Sequence, residues 1–229
     1  MSQQRDEFKR AAAERAVEYV TDGMVVGLGT GSTAQHAVRG LGGRVASGLS
    51  IVGIPTSERV ARMARDLGIP LTTLDERPEI DITIDGADEV DLSTFYGIKG
   101  LGGALLREKL VALATRLEII VVDDSKVVDG LGQHEPLPVE VVPFGWKRTR
   151  DTLSALGCEP QLRTAPDGSP YLTDSGNYLL DCRFPAIDDP PTLASRVKAI
   201  TGVVEHGLFL GIIGRVVIGG AEGVRVVDK

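Results

Sequence analysis

The sequence predicts an α/β protein, in which helices cover both faces of a mostly parallel sheet and a small α+β lobe is appended. Two observations support this prediction. Through residue 122, short apolar stretches alternate with stretches whose apolar residues recur at helical spacing. After Gly130, prolines cluster around short β-rich pieces and the alternation ends. Alternating strands and helices are typical of a parallel sheet, because parallel neighbours need a crossover connection, usually a helix.

The first half of the chain starts with a helix predicted over 6–20, which Asp22-Gly23 ends. Strands and helices then alternate. The strands are predicted at 24–27, 50–54, 80–84 and 118–122, and the helices at 32–41, 58–67 and 104–116. This order makes the sheet Rossmann-like.

The second half predicts the lobe and a returning tail. A strand at 139–142, helices at 146–156 and 191–200, and turns at Asp167-Gly168 and Ser175-Gly176 indicate an α+β lobe. Strand-like stretches at 208–213, 215–218 and 224–227 are expected to rejoin the main sheet. We therefore expect residues 1–130 and 206–229 to form the main domain and residues 131–205 the lobe.

Composition narrows the classes of partner. The 229 residues include 25 Lys and Arg against 32 Asp and Glu, a formal net charge of -7, which repels nucleic acid and anionic lipid on average. Residues 1–10 lack the apolar core of a signal peptide, and no stretch has the apolar length of a membrane span, so we expect a cytoplasmic protein. Cys158 and Cys182 lack CxxC spacing and are interpreted as packing residues rather than zinc ligands or a disulfide.

A glycine-rich turn lies between the first predicted strand and the next helix, and its candidate binding residues are Thr30, Gly31, Ser32 and Thr33. Backbone N–H groups and hydroxyls at a helix N-terminus favour a phosphate. The alternative is a tight turn that Ser32 or Thr33 merely caps. No acidic residue for a nicotinamide ribose follows the next strand, and no Walker lysine follows the turn, so the phosphate of a small molecule fits best.

A second candidate segment follows the strand at 80–84. It consists of Asp85, Gly86, Ala87 and Asp88, and a loop with Lys99, Gly100, Leu101 and Gly102 comes shortly after. Ligands of open α/β sheets bind at such strand ends. The alternative, that the aspartates only cap the turn, is the better interpretation of this segment taken alone.

In this order, the phosphate turn, the Asp85–Asp88 segment and the run from Lys99 to Lys109 resemble ribose-5-phosphate isomerases of the A type. The resemblance extends to stretches at 6–9, 124–126, 136–141, 202–204 and 207–209, and so covers essentially the whole chain. It implies interconversion of D-ribose 5-phosphate and D-ribulose 5-phosphate in the pentose phosphate pathway. It also implies a homo-oligomer, dimeric or tetrameric, that uses neither a cofactor nor a metal.

Carried over residue by residue, the resemblance makes Glu108 the proton acceptor. It places ligand contacts on Thr30 to Thr33, Asp85 to Asp88, Lys99 to Gly102 and Lys126, with Lys9 near the phosphate. Lys99 would stabilise the developing oxyanion, Asp85 would move protons on sugar oxygens and Asp88 would orient hydroxyls. Leu101 departs from the family pattern, because the middle glycine of a three-glycine run is expected there.

Four alternatives stay open. Taken alone, the run Arg107-Glu108-Lys109 favours a solvated glutamate on an exposed helix face over a catalytic base, and Lys99 could be a surface lysine. Lys126 could neutralise Asp123-Asp124 instead of meeting a ligand. The whole chain could be a non-catalytic sugar-phosphate-sensing domain, although it has no helix-turn-helix or basic segment.

Overall fold

The computed structural model describes residues 2–229. Its elements in chain order are α1 (Ser2–Val17), β1 (Val25–Leu28), α2 (Ser32–Ala46), β2 (Val52–Pro55), α3 (Glu58–Asp66), β3 (Ile80–Asp85), β4 (Glu89–Asp91), β5 (Tyr96–Ile98), α4 (Leu105–Leu113), β6 (Thr115–Asp123), β7 (Val127–Val128), β8 (Leu137–Val141), α5 (Trp146–Ser154), β9 (Glu159–Leu162), β10 (Tyr178–Arg183), α6 (Pro190–Lys198), β11 (Val203–His206), β12 (Leu208–Phe209), β13 (Ile213–Gly220) and β14 (Gly223–Asp228).

Two compact units divide these elements. The first consists of the chain up to Ala87, Arg107–Val127 and Ile212–Lys229, and the second of Asp88–Leu106 and Val128–Gly211. The lobe predicted at 131–205 lies inside the second unit, which also takes in 88–106, 128–130 and 206–211. The first and the last of these stretches join each other through the antiparallel pairing of β5 with β12.

The first unit contains a six-stranded sheet in the described part of the chain, in the order β14-β13-β6-β3-β1-β2. Every neighbouring pair is parallel except β13 with β14, which form an antiparallel hairpin. The prediction of a mostly parallel sheet is confirmed. The tail returns to that sheet from Ile213 onward, whereas Leu208–Phe209 pairs with β5 instead.

Helices cover both faces of this sheet, as predicted. One face packs against apolar residues of α1, α2 and α3, including Ala12, Val38 and Val60. On the other face, Val111 of α4 packs against Ile54 and Ile80. Gly27 allows this approach, because a Cβ there would lie 2.8 Å from Val111 Cγ1.

Several predicted boundaries are wrong for local reasons. The helix predicted over 104–116 ends at Leu113, because Thr115 already pairs with Ile80 in the sheet. The helix predicted over 32–41 continues to Ala46, through a glycine, Gly42, that packs closely against Leu67. The strand predicted over 208–213 is two strands, since β12 pairs with β5 whereas β13 starts at Ile213 in the main sheet.

The second unit has the α+β character that was predicted. Four antiparallel strands form a sheet in the order β11-β8-β10-β9, and a smaller sheet has the order β12-β5-β4-β7. The core of the unit lies around the first of these sheets and includes Val139, Leu153, Leu180 and Val197. Leu153 belongs to α5 and Val197 to α6, so both helices help to bury it.

Candidate active site

In the first unit, the strand order creates a natural binding edge. The chain runs from β1 through α2 to β2, and then returns to β3 on the other side of β1. Ligands of open α/β sheets bind at such a change of direction, beyond the carboxyl ends of the strands. Gly29 and Thr30 follow β1 there, and Asp85 is the last residue of β3. The predicted phosphate turn and the predicted aspartate therefore end adjacent strands.

Asp85 ties these two strand ends together. Its buried carboxylate Oδ1 accepts the Thr30 N–H at 3.0 Å and the Gly86 N–H at 2.7 Å. Gly29 allows the close approach, because a Cβ there would lie 2.4 Å from Asp85 Cγ. Gly86 and Ala87 follow, both half-buried. Asp85 thus has a structural contact with the turn that the sequence did not predict.

The Thr30 side chain is buried against hydroxyls that follow β2. Its Oγ1 lies 2.7 Å from Thr56 Oγ1 and donates to Ser57 Oγ at 2.8 Å. Ser57 Oγ also accepts the Val60 N–H at 3.2 Å and so caps α3. Sequence reasoning missed Thr56 and Ser57, although two hydroxyl residues directly after a parallel strand next to β1 were a usable signal.

The turn leads into α2 with an uncapped helix N-terminus. Gly31, with φ of +123°, is the N-cap residue and makes no side-chain cap hydrogen bond. The alternative that Ser32 or Thr33 caps the turn is therefore wrong, since both are helical residues. The first N–H groups of a helix lack intrahelical partners, so this end suits an anion. Ser32 is exposed there, whereas Thr33 is buried.

Lys9 of α1 lies beside this N-terminus. Its Nζ donates to Ser32 Oγ at 3.1 Å and lies 3.9 Å from Asp123 Oδ2. Asp123, at the end of β6, is buried and accepts the Ser125 N–H at 3.1 Å as the cap of a 3₁₀ turn, Asp124–Lys126. Lys126 is the half-buried last residue of that turn. A lysine from α1 therefore takes part in neutralising Asp123.

Glu108 lies in the first turn of α4 and is buried, with 3% of its surface exposed. The interpretation of Glu108 as a solvated glutamate on an exposed face is therefore wrong. In the same charged run, Arg107 pairs with Glu58 across 2.9 Å, and this hydrogen bond lowers the pKa of Glu58. Burying a carboxylate is costly, and such carboxylates cluster at functional sites.

In the second unit, Lys99 is also buried, with 2% of its surface exposed, so the surface-lysine interpretation is wrong. Its Nζ lies 5.4 Å from the centre of the Phe209 ring. Its N–H donates to the Gly207 carbonyl at 2.9 Å, and the Gly207 N–H donates to the Pro138 carbonyl at 2.8 Å. The backbone that carries Lys99 is thus fixed by Gly207.

The loop after Lys99 is a turn held by Asp88. The Gly103 N–H donates to the Gly100 carbonyl at 3.0 Å, and the Leu101 N–H donates to Asp88 Oδ2 at 2.9 Å. Gly100 and Gly103 have φ of +113° and +82°, whereas Leu101 is outside the left-handed region. Leucine therefore fits at this position without backbone strain. Gly102, next to it, is exposed.

The structure thus brings together two sets of predicted residues. In the first unit, Lys9 contacts Ser32 and Asp85 contacts Thr30, while Glu108 and Lys126 belong to the same unit. In the second unit, Asp88 contacts the loop that follows Lys99. Within residues 2–229, no three His, Cys, Asp or Glu side chains are grouped so that they could hold a metal ion. No helix in the same range combines the length and the apolar character that crossing a membrane requires.

The sequence of this chain is similar to one known protein family. The profile described as "Ribose 5-phosphate isomerase A (phosphoriboisomerase A)" matches residues 52–223. The chain is 53% identical to ribose-5-phosphate isomerase A of Synechococcus sp. (strain JA-3-3Ab), covering 98% of each chain. It is 56% identical to the protein of that name from Gloeobacter violaceus, covering 96% of each.

Solved structures agree with this result. Ribose 5-phosphate isomerase A from Methanocaldococcus jannaschii is 40% identical, with a TM-score of 0.94 over 98% of this chain and 100% of that one. A D-ribose-5-phosphate isomerase in complex with phospho-erythronic acid is 39% identical, with a TM-score of 0.94 over 97% and 98%. The profile matches most of the chain, and the relatives are more than half identical to it over nearly its full length. The chain therefore belongs to the ribose 5-phosphate isomerase A family.

Proposed function

We propose that this protein is an aldose-ketose isomerase that interconverts D-ribose 5-phosphate and D-ribulose 5-phosphate. The observation that supports it most is the burial of Glu108, in a chain that shares more than half its residues with ribose-5-phosphate isomerases A over nearly full length. A buried carboxylate at that position suits proton abstraction from a sugar carbon. The phospho-erythronic acid bound to a relative is a phosphorylated sugar acid, which matches the proposed class of ligand.

The reaction needs a base that moves one proton between neighbouring carbons. The Glu108 carboxylate removes the proton from C2 of the open-chain aldose, and the electron pair of the C–H bond forms the C1–C2 double bond of an enediolate. Negative charge then develops on O1, and the buried Lys99 ammonium stabilises it. Asp85 passes the O2 proton to O1, and Glu108 returns its proton to C1 as the ketone forms at C2, so no group is consumed.

The sugar hydroxyls are assigned to the two aspartates. Asp85 moves protons on the sugar oxygens and Asp88 orients hydroxyls. Backbone groups of Gly86, Ala87, Gly100, Leu101 and Gly102 line the path of the sugar chain. Both carboxylates already accept backbone N–H groups, so their positions are fixed before a sugar binds.

The phosphate is assigned to the N-terminus of α2. The residues assigned to it are Thr30, Gly31, Ser32 and Thr33. Gly31, Ser32 and Thr33 donate N–H groups, and Thr30, whose own N–H is bonded to Asp85, holds the turn in place. Lys9 and Lys126 add positive charge. The hydrogen bond of Lys9 to Ser32 and the absence of a side-chain cap on Gly31 support this assignment. A helix N-terminus with a lysine beside it favours a dianion.

The variant Glu108→Gln tests the proposal. It keeps the shape of the side chain but removes its basicity, so kcat for D-ribose 5-phosphate should fall by about 10²-fold or more. Inorganic phosphate should bind as tightly as to the unaltered protein. Glu14→Gln, at an exposed position of α1, is the matched control and should keep full activity.

Near-normal turnover of Glu108→Gln would remove Glu108 from the role of base. An unaltered protein that binds D-ribose 5-phosphate without converting it would instead favour the non-catalytic sensing domain. We also expect a homo-oligomer, a dimer or a tetramer, in the cytoplasm; light scattering on the purified protein would test the first of these expectations.

A further inference from the structure

We propose that Arg163 is a positioning residue of the isomerase: together with Asp181, it fixes the peptide that presents the Gly102 N–H to the substrate. This inference rests on the proposed function, since it concerns the loop after Lys99. Arg163 follows β9 and Asp181 lies within β10, so both come from the antiparallel sheet of the second unit.

The guanidinium group of Arg163 is itself held in a fixed plane. Its Nε donates to Asp181 Oδ2 at 2.9 Å, and its Nη2 donates to Asp181 Oδ1. This is the two-pronged pairing that arginine makes with a carboxylate. The Arg163 side chain is only 14% exposed, and its backbone N–H donates to the Leu179 carbonyl at 2.9 Å. Arg163 is therefore a rigid donor rather than a mobile surface cation.

The remaining donor, Nη1, is directed at two consecutive carbonyls of the loop. It lies 3.0 Å from the Gly100 carbonyl oxygen and 3.0 Å from the Leu101 carbonyl oxygen. The peptide that joins Gly100 to Leu101 is thus held at both ends, because Asp88 accepts its N–H. The next peptide, from Leu101 to Gly102, is held at its oxygen by Arg163.

That next peptide is the central one of the turn that the Gly103 N–H closes on the Gly100 carbonyl. Two forms of such a turn differ by a flip of the central peptide, and the flipped form needs φ near +80° at the third residue. Here that residue is Gly102, and a glycine adopts positive φ without a steric penalty. In the observed form Gly102 is outside the positive-φ region.

Arg163 selects the observed form, because the flip would turn the Leu101 carbonyl away from its cation. In a trans peptide the N–H points opposite to the carbonyl, so fixing the Leu101 oxygen also fixes the direction of the Gly102 N–H. A cation hydrogen-bonded to the oxygen also polarises the peptide and strengthens its N–H as a donor. Arg163 thus acts on the reaction through the loop, without needing to touch the substrate.

Lysine cannot replace Arg163 in this arrangement. A lysine ammonium is a point charge without the planar fork that engages the Asp181 carboxylate and two carbonyls together. The test compares Arg163→Ala and Arg163→Lys with the unaltered protein. Arg150→Ala is the matched control, since Arg150 is a half-buried arginine of α5 that pairs with its neighbour Asp151.

Three measurements are needed: kcat for D-ribose 5-phosphate, the affinity for phospho-erythronic acid and the affinity for inorganic phosphate. For Arg163→Ala we expect kcat and phospho-erythronic acid affinity to fall at least about tenfold, the scale on which a small misplacement acts. Inorganic phosphate affinity should stay within about twofold, because its assigned ligands belong to the first unit. Millimolar guanidinium ion should restore part of the loss in Arg163→Ala and none in Glu108→Gln.

If Arg163→Ala does not fold, Arg163→Lys tests the inference in its place. Its kcat should be at least about tenfold lower than that of the unaltered protein, with unchanged phosphate affinity. A kcat within twofold of the unaltered protein in a folded variant overturns the inference, and so does a loss confined to phosphate affinity. An unaltered protein without turnover refutes the proposed function instead. The inference is then decided by whether Arg163 variants lose phospho-erythronic acid affinity relative to inorganic phosphate.

Discussion

Gly207→Ala should move the backbone of Lys99. A Cβ at residue 207 would lie 2.1 Å from the Lys99 carbonyl oxygen, whereas ordinary van der Waals contact starts at 3.4 Å. The two backbones must therefore separate by about 1 Å, and neither is the far end of a flexible side chain. The hydrogen bonds from Lys99 N–H to Gly207 and from Gly207 N–H to Pro138, now 2.9 and 2.8 Å, would lengthen beyond bonding distance.

The magnitude follows from these contacts. Two lost backbone hydrogen bonds at about 0.5–1.5 kcal/mol each lower the free energy of unfolding by roughly 1–3 kcal/mol. In a chain of this size, that corresponds to a fall in Tm of about 2–12 °C. Moving Lys99 by about 1 Å should also lower kcat by roughly 10²-fold.

The assays are thermal unfolding followed by circular dichroism and turnover of D-ribose 5-phosphate. Gly43→Ala is the matched control, because nothing lies within 4 Å of a Cβ there and the position is exposed in α2. Alanine in a helix interior should raise stability by about 1 kcal/mol over glycine and leave kcat unchanged. If Gly207→Ala kept both the Tm and the kcat of the unaltered protein, the argument that Gly207 fixes Lys99 would fail.

Two further predictions concern charge. Lys9→Met should raise KM for D-ribose 5-phosphate about tenfold with kcat nearly unchanged, because it removes a partly exposed cation beside the phosphate turn. Arg10→Met removes the same charge at an exposed position of α1 and should leave KM unchanged. Equal KM values for the two variants would contradict the role of Lys9. Burial acts to raise the pKa of Asp91, but hydrogen bonds from Ser93 and Thr94 outweigh it and lower the pKa below its usual value. This carboxylate therefore stabilises the fold above about pH 4 and ceases to do so as the pH falls through its lowered pKa. In urea unfolding, Asp91→Asn should have a lower free energy of unfolding than the unaltered protein at neutral pH, and the difference between the two should disappear in acid. A difference that does not change with pH would contradict this role of Asp91.

The order of strands and helices in the first unit could be predicted from the sequence, because apolar periodicity is local information. The predicted ends of elements were wrong where strand pairing determines them. Thr115 has the local pattern of a helix end, yet it lies in β6 because Ile80 pairs with it. The stretch 208–213 is uniformly apolar, and only its partners show that Leu208–Phe209 and Ile213 belong to different sheets.

In the candidate site, too, some features could be predicted from the local sequence and others could not. Asp85 and the glycine turn could be predicted because each follows a recognisable strand. The burial of Glu108 could not, because its neighbours Arg107 and Lys109 make the stretch look solvated. Arg163 gave no local signal either: it contacts Gly100 across 63 positions of sequence, and only the folded sheet of the second unit brings the two together.

The hydrogen bonds that Asp85 accepts also affect how a ligand associates. Because Oδ1 accepts the N–H groups of both Thr30 and Gly86, the glycine turn is ordered by folding rather than by the arrival of a phosphate. The conformational entropy of that turn is then lost before binding, so it does not subtract from affinity. Association should accordingly be a single fast step, without a slow rearrangement after the encounter.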